Sequence, residues 1–283
     1  MGTLCDQNPA SDYESQLRHV ASPGRAKITA LDQVSYEQPL NERVRTLLRL
    51  EFIFKQAHAH TYRHSAWDSR AAINSLFDIT EVFNRTDLKN EILKEMERQT
   101  NLLENLAENP HVDKKRLGEI LNEMDLLIDR LYALKNQELD IRSNDILSSI
   151  KQRINIAGGC CDFDLPAYHY WLSQAEEKRV IDLQQWFEPF DVINQSVRLI
   201  LRLIRDSAQI TQEVAEDGFF QKSFDSSTTC QMVRVTLAGE IPCFAEISGG
   251  KHRFTIRFME PSLSERPVQT AHPINFKLTC CLL

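Results

Sequence analysis

The hydrophobic period of this chain changes once, and the change sits near Gly218. Upstream, apolar residues step at three and four, the signature of helices with one buried face. Downstream they alternate, the signature of half-buried strands. Such segregation predicts an α+β fold, with a mainly α-helical domain followed by a small antiparallel β-strand domain. The helical pattern runs from about 41 to 208. Asn41, after Pro39, is placed to cap a first helix carrying Val44, Leu47, Leu48 and Phe52. A second is expected over Trp67–Phe83. Two more, from Asp87 to before Pro110 and from Asp113 to about 135, are long and richly charged. They predict an antiparallel hairpin about 30 Å long at 1.5 Å per residue. Helices over Asp145–Ile154, Pro166–Leu172, Glu176–Phe187 and Phe190–Ala208 complete the set. Strands are expected over Met232–Leu237, Cys243–Ile247, Arg253–Met259 and Ile274–Cys281. Val34–Glu37 alternates briefly and predicts a strand that returns to the same sheet. The implied division is a flexible leader over 1–32, a short strand over 33–39 joining the β domain, helices over 40–218 and strands over 219–283.

Composition removes several alternatives. With 42% hydrophobic and 26% charged residues among 283, and 9 Gly and 10 Pro, the chain is neither collagenous, nor low-complexity, nor a disulfide scaffold. It contains no apolar run of about 18 residues or more, so no membrane span is expected. The first thirty residues lack the apolar stretch of a secretory signal, which points to the cytoplasm. There the 7 cysteines should be free thiols. Met-Gly-Thr-Leu-Cys-Asp at the start fits a myristoylation motif poorly, because Asp6 stands where Ser or Thr is wanted. Cys280-Cys281-Leu282-Leu283 formally fits a prenylation box, but the alternation through Phe276, Leu278 and Cys280 favours the end of a buried strand.

Charge is unevenly shared. The net charge is −7, which argues against nucleic acid as a bulk partner. Yet residues 219–283 hold seven Lys or Arg against five Asp or Glu. Within them, Lys251–Met259 contains no acidic residue. Phe254, Ile256 and Phe258 should face one side of a strand, and Arg253, Thr255 and Arg257 the other. At about 3.3 Å per residue the two guanidiniums leave the strand roughly 13 Å apart. This pattern fits an anion-binding surface or an ordinary solvated sheet face. A basic sheet face also raises nucleic-acid binding as an alternative, but no row of aromatics accompanies the arginines.

Three other constellations are weaker. His58, His60 and His64 form the densest histidine cluster; His60 and His64 could share a metal on a helix, but a solvated helix end is the better reading. Gly158-Gly159-Cys160-Cys161-Asp162-Phe163-Asp164-Leu165-Pro166 has two glycines suited to a tight turn, and no Lys to complete a phosphate loop. Cys160 with His169 suggests a thiol nucleophile, although adjacent small thiols are commonly structural. No catalytic residue, metal or cofactor is assigned.

Several separated blocks nevertheless resemble one family. Pro39–Phe52, the Gly158–Pro166 block, Leu203-Ile204-Arg205-Asp206-Ser207-Ala208, Gly218-Phe219, Arg253–Met259 and Phe276–Cys281 are similar, in order, to ZapD, a bacterial cell-division family associated with FtsZ. The resemblance implies a non-enzymatic homodimer with an α-helical and a β-strand domain. Such a dimer binds the C-terminal tail of FtsZ, cross-links protofilaments and works at the division ring at midcell. It places the family's tail-binding residues on Arg85, Arg253 and Arg257, and a second set on Arg49 and His169. By the same resemblance a further family arginine falls on Asp145, so either neighbouring Arg142 substitutes or that contact is absent. The resemblance places no counterpart for the leader or for the histidine cluster.

Overall fold

A computed structural model describes residues 33–85, 87–107, 109–110, 112–224, 230–250 and 252–282. The leader therefore lies outside the described residues. The fold is α+β. Strand β1 (Gln33–Pro39) precedes α1 (Glu42–Thr61), α2 (Ala66–Arg85), α3 (Leu88–Leu106), α4 (Lys114–Ala133), α5 (Asp145–Arg153), α6 (Pro166–Leu172), α7 (Glu176–Phe187) and α8 (Asp191–Asp206). Strands β2 (Gln209–Ala215), β3 (Phe219–Ser223), β4 (Met232–Ala238), β5 (Phe244–Gly249), β6 (Arg253–Glu260), β7 (Val268–Gln269) and β8 (Ile274–Cys281) follow.

Local chemistry sets the helix ends. The Asn41 side chain accepts from the Val44 N–H at 2.9 Å, a true N-cap for α1. Asp113 accepts from the N–H groups of Lys115 and Arg116 and starts α4. Asp87 precedes α3 but makes no side-chain cap. Helices α3 and α4 form the expected antiparallel hairpin. Lys89 near the start of α3 donates to the Leu134 carbonyl beyond the end of α4, and the Tyr132 hydroxyl donates to Glu97 at 2.6 Å. The strongly amphipathic α8 runs through the centre, with Ile193, Val197, Ile200, Leu201 and Ile204 fully buried. Burying a Leu or Ile side chain contributes about 1.5–3 kcal/mol, so this face anchors the helical core.

The β part is two facing sheets rather than the single one expected. One has the order β1-β4-β8-β2; the other has β3-β6-β5, with β7 beside β6. Strand β1 pairs antiparallel with β4, Tyr36 opposite Val235. Val233, Val235, Leu237, Phe276 and Leu278 from the first sheet meet Phe254, Ile256 and Phe258 from the second in a dry layer. At one end the first sheet also touches the helices: Met232 and Cys281 belong to the helical core, which is why Cys281 is fully buried. The C-terminal cysteines thus end a strand. The six cysteines among the described residues are free.

Strand β2 begins before the change in period and was not expected from the sequence. It is an edge strand whose larger apolar residues, Ile210 and Val214, point outward, 68% and 46% exposed. The turn that follows explains the break at Gly218. Its φ is +66°, and a Cβ there would lie 2.5 Å from the Thr270 carbonyl oxygen. Only glycine meets both conditions without strain.

Helices and sheets are joined by ions as well as packing. The Arg205 guanidinium on α8 donates to Glu37 of β1 at 2.9 and 2.8 Å and to Glu51 of α1 at 2.7 and 2.8 Å. Arg234 of β4 also donates to Glu37, at 2.9 and 2.6 Å. Through Arg205, Glu37, Glu51 and Arg234, this network ties α8, β1, α1 and β4 together.

Candidate functional site

The candidate surface is the outer face of β6. Phe254, Ile256 and Phe258 are buried against the first sheet, so alternation forces Arg253, Thr255 and Arg257 outward. Both arginines are exposed. Neither makes an ion pair or side-chain hydrogen bond among the described residues. By contrast Arg43, Arg98, Arg130, Arg153, Arg202 and Arg205 are all paired with carboxylates. The flanking strands complete the face. On β3, Phe219 lies opposite Arg257 and Ser223 opposite Arg253. On β5, Glu246 lies opposite Arg257 and Ser248 opposite Thr255. The surface therefore has a cationic end at Arg253, a mixed end at Arg257 beside Glu246, and one exposed aromatic, Phe219. Glu246 and Phe219 carry no signal in their own segments; only the strand register puts them beside Arg257. Lys251 lies outside the described residues.

Arg85 is the last residue of α2, and its side chain is outside the described residues. Arg142 lines a cleft of about 560 Å³ together with Thr80, Phe83, Leu88, Lys89 and Lys151. Its guanidinium is held by Asp140 at 2.8 and 3.0 Å, so it must leave an existing partner before it can engage another anion. Arg49 is exposed on α1, without an ion pair among the described residues. His169 of α6 pairs with Asp162 at 3.0 Å. No hydrogen bond or ion pair among the described residues links Arg49, Arg142 and His169 to one another.

The glycine-cysteine block is a built turn. Gly158 has φ +73°, and a Cβ on Gly159 would meet the Arg153 carbonyl oxygen at 2.7 Å. Arg70 closes the turn, donating to the Cys160 carbonyl at 3.0 Å while lying over the rings of Trp67 and Tyr168 at 5.3 and 4.8 Å. The thiols are not set up as nucleophiles. Burial pushes the Cys160 thiol up, away from thiolate, whereas a reactive cysteine is held low. Cys161 donates to Asp164, and His169 has Asp162 as its partner instead of a sulfur.

The histidine cluster disperses into separate contacts. His60 pairs with Asp68 at 3.0 Å, His64 with Glu176, and His58 packs on the Tyr62 ring. The His64 carbonyl accepts from buried Arg179, which also serves Leu172, Gln174 and Ser69. Among the described residues, no three His, Cys, Asp or Glu side chains converge to hold a metal. No described helix is long and apolar enough to cross a membrane.

Residues 48–257 match the family model described as ZapD, cell division protein. The chain belongs to the ZapD family. It is 41% identical over 253 residues to the cell division protein ZapD of Methylococcus capsulatus, covering 89% of this chain and 99% of that one. It is 36% identical over 251 residues to that of Nitrosomonas eutropha, covering 88% and 100%, and 35% identical to that of Coxiella burnetii, covering 88% and 97%. The matched span contains Arg49, Arg85, Arg142, Asp145, His169, Arg253 and Arg257. This chain is thus a ZapD-family cell-division protein, and the relatives bear that name rather than an enzyme's.

Proposed function

We propose that this chain binds the C-terminal tail of FtsZ and, as a homodimer, cross-links FtsZ protofilaments into bundles that stabilise the division ring. It works without catalysis, in the cytoplasm, and is recruited to midcell. Membership of the ZapD family supports the setting. The observation that carries the binding is the pair of exposed guanidiniums, Arg253 and Arg257, on one sheet face, neither in an ion pair among the described residues. Each offers a planar fork suited to a carboxylate. Phe219 beside them supplies an apolar contact. Arg85 completes the site in the family pattern, and Arg49, His169 and Arg142 form a second contact set. A single tail contact is weak, because the peptide loses entropy when it orders. Two sites on a dimer, facing filaments that display many tails, convert weak contacts into avidity.

Two outcomes follow. Binding of a fluorescently labelled FtsZ tail peptide, followed by anisotropy, should weaken steadily as salt rises, since exposed charge pairs are screened beyond about 8 Å at physiological ionic strength. Affinity unchanged between low and high salt would replace the arginine face with an apolar site. Cys160→Ala should retain full bundling in light scattering with polymerised FtsZ, because the thiol is given no role. Loss of bundling by a folded Cys160→Ala protein would instead point to thiol chemistry.

A further inference from the structure

Two cysteines of the β domain lie side by side, apart from the arginine face. Cys280 is the penultimate residue of β8, across from Val233 on β4 and Gln209 on β2. The Gln231 N–H donates to the Cys281 carbonyl at 2.8 Å, which brings the residues ahead of β4 alongside the end of β8. There the buried Cys230 thiol lies within hydrogen-bond reach of the Met232 carbonyl, at 3.3 Å, and of the Cys280 sulfur. Cys281 stands apart from this pair. Successive strand residues face opposite ways, so its side chain enters the helical core while Cys280 packs on the layer between the sheets.

We propose that Cys230 and Cys280 form a peroxide-responsive dithiol, in which hydrogen peroxide oxidises Cys280 and Cys230 resolves it as a disulfide within the chain. Position divides the roles. Cys280 is only partly buried, so a small oxidant reaches it, whereas Cys230 is buried against it. Electrostatics agrees. The hydrogen bond from Cys230 and the nearby Lys222 charge lower the Cys280 thiol to about 7, against burial and Glu213. That favours the thiolate, which is the nucleophile. The same hydrogen bond, with burial, pushes the Cys230 thiol up, so Cys230 keeps its proton until the second step. An accessible, low thiol beside a resolving one is the arrangement that oxidises selectively. In the first step the Cys280 thiolate attacks a peroxide oxygen. An S–O bond forms, the O–O bond breaks, and the departing hydroxide takes up the proton that Cys280 had released. In the second step the Cys230 sulfur attacks the Cys280 sulfur. The S–S bond forms, the S–O bond breaks, and hydroxide leaves with the Cys230 proton as a second water. Two electrons pass from the thiols to the peroxide, and a dithiol reductant reverses the change by exchange. The disulfide closes a loop of about 50 residues that carries β4 to β8, and with them the arginine face. None of this depends on the FtsZ reading.

The test treats the full chain with hydrogen peroxide, unfolds it, blocks the remaining thiols with iodoacetamide and maps the peptides by mass spectrometry. The expected product is a Cys230–Cys280 linked peptide pair that dithiothreitol abolishes. Cys230→Ser should instead leave Cys280 as a sulfenic acid, which dimedone labels, and Cys280→Ser should lose both the link and the label. Absence of the linked pair in the unmodified chain overturns the proposal, and so does Cys280 joined to any other cysteine or to a second chain. Dimedone on Cys243 or Cys281 to the same extent as on Cys280 overturns the division of roles. The oxidised chain should unfold at a urea midpoint roughly 1 M above the reduced chain and lose that gain on reduction. A midpoint that stays put in the linked chain overturns the loop closure as a stabilising device.

Discussion

Arg253→Glu combined with Arg257→Glu should abolish co-sedimentation of this chain with polymerised FtsZ while leaving its melting temperature within a degree or two. The structure gives both halves of that expectation. The side chains project from the outer face of β6, and the buried layer beneath it comes from Phe254, Ile256 and Phe258. Surface substitutions away from packed or hydrogen-bonded groups usually cost within about 0.5 kcal/mol. The functional cost is larger because charge reversal does more than remove an attraction. It sets one carboxylate opposite Glu246 and a second four residues along the same face, and so repels an acidic peptide. Arg253→Lys with Arg257→Lys should lie between, since Lys keeps the charge but loses the bidentate fork. Undiminished pelleting by the folded double Glu variant would remove these arginines from the binding site.

Arg205→Leu should have the largest effect on stability. Its guanidinium is the common partner of Glu37 and Glu51, both mostly sheltered from solvent. Burial pushes the Glu37 carboxyl up, but Arg205 and Arg234 together outweigh it and hold it below its ordinary value. For Glu51 the Arg205 hydrogen bonds are the main cause of a lowered value, with burial opposing. Removing one partner of a buried pair leaves the other charge uncompensated, at a cost of about 3–5 kcal/mol; with Arg234 and Lys55 still present, the lower figure applies. For a chain of this size about 3 kcal/mol corresponds to a fall in Tm of roughly 6–12 °C. The sign with pH is fixed. Carboxylates whose folded values are depressed contribute stability above the unfolded value of about 4.3 and lose it as pH falls through their folded values. The gap between wild type and variant should therefore narrow on acidification. Urea unfolding at pH 7 and at pH 4 measures it, and equal gaps at the two values would contradict the assignment.

The sequence was legible where burial and period coincide. The α6, α7 and β8 segments lie where periodicity puts them, and the alternation in β6 correctly separates arginines from core. It was silent where they diverge. Strand β2 buries little of itself and turns Ile210 and Val214 to solvent, so no half-buried pattern marks it. The division into two sheets depends on which strands pair across long sequence separations, β1 with β4 and β2 with β8, and alternation within a strand says nothing of its partner. The same holds for the site. Arg253 and Arg257 are visible in one segment, but Glu246 and Phe219 join them only through strand register. Arg205 shows the converse. It lies in a block that marks the family, yet its contacts bind the helices to the sheet and give it a structural part. Histidine spacing left a shared metal as the lesser alternative to a solvated helix end, and the fold gives His60 and His64 separate carboxylates, Asp68 and Glu176, from other segments.

The proposed contact with FtsZ runs through the FtsZ C-terminal tail. Its most direct test is a pelleting assay with GTP-polymerised FtsZ, intact and lacking that tail. The chain should sediment with intact filaments and raise the pelleted FtsZ by bundling, and should stay in the supernatant with tail-less filaments. Equal sedimentation with both forms would contradict it.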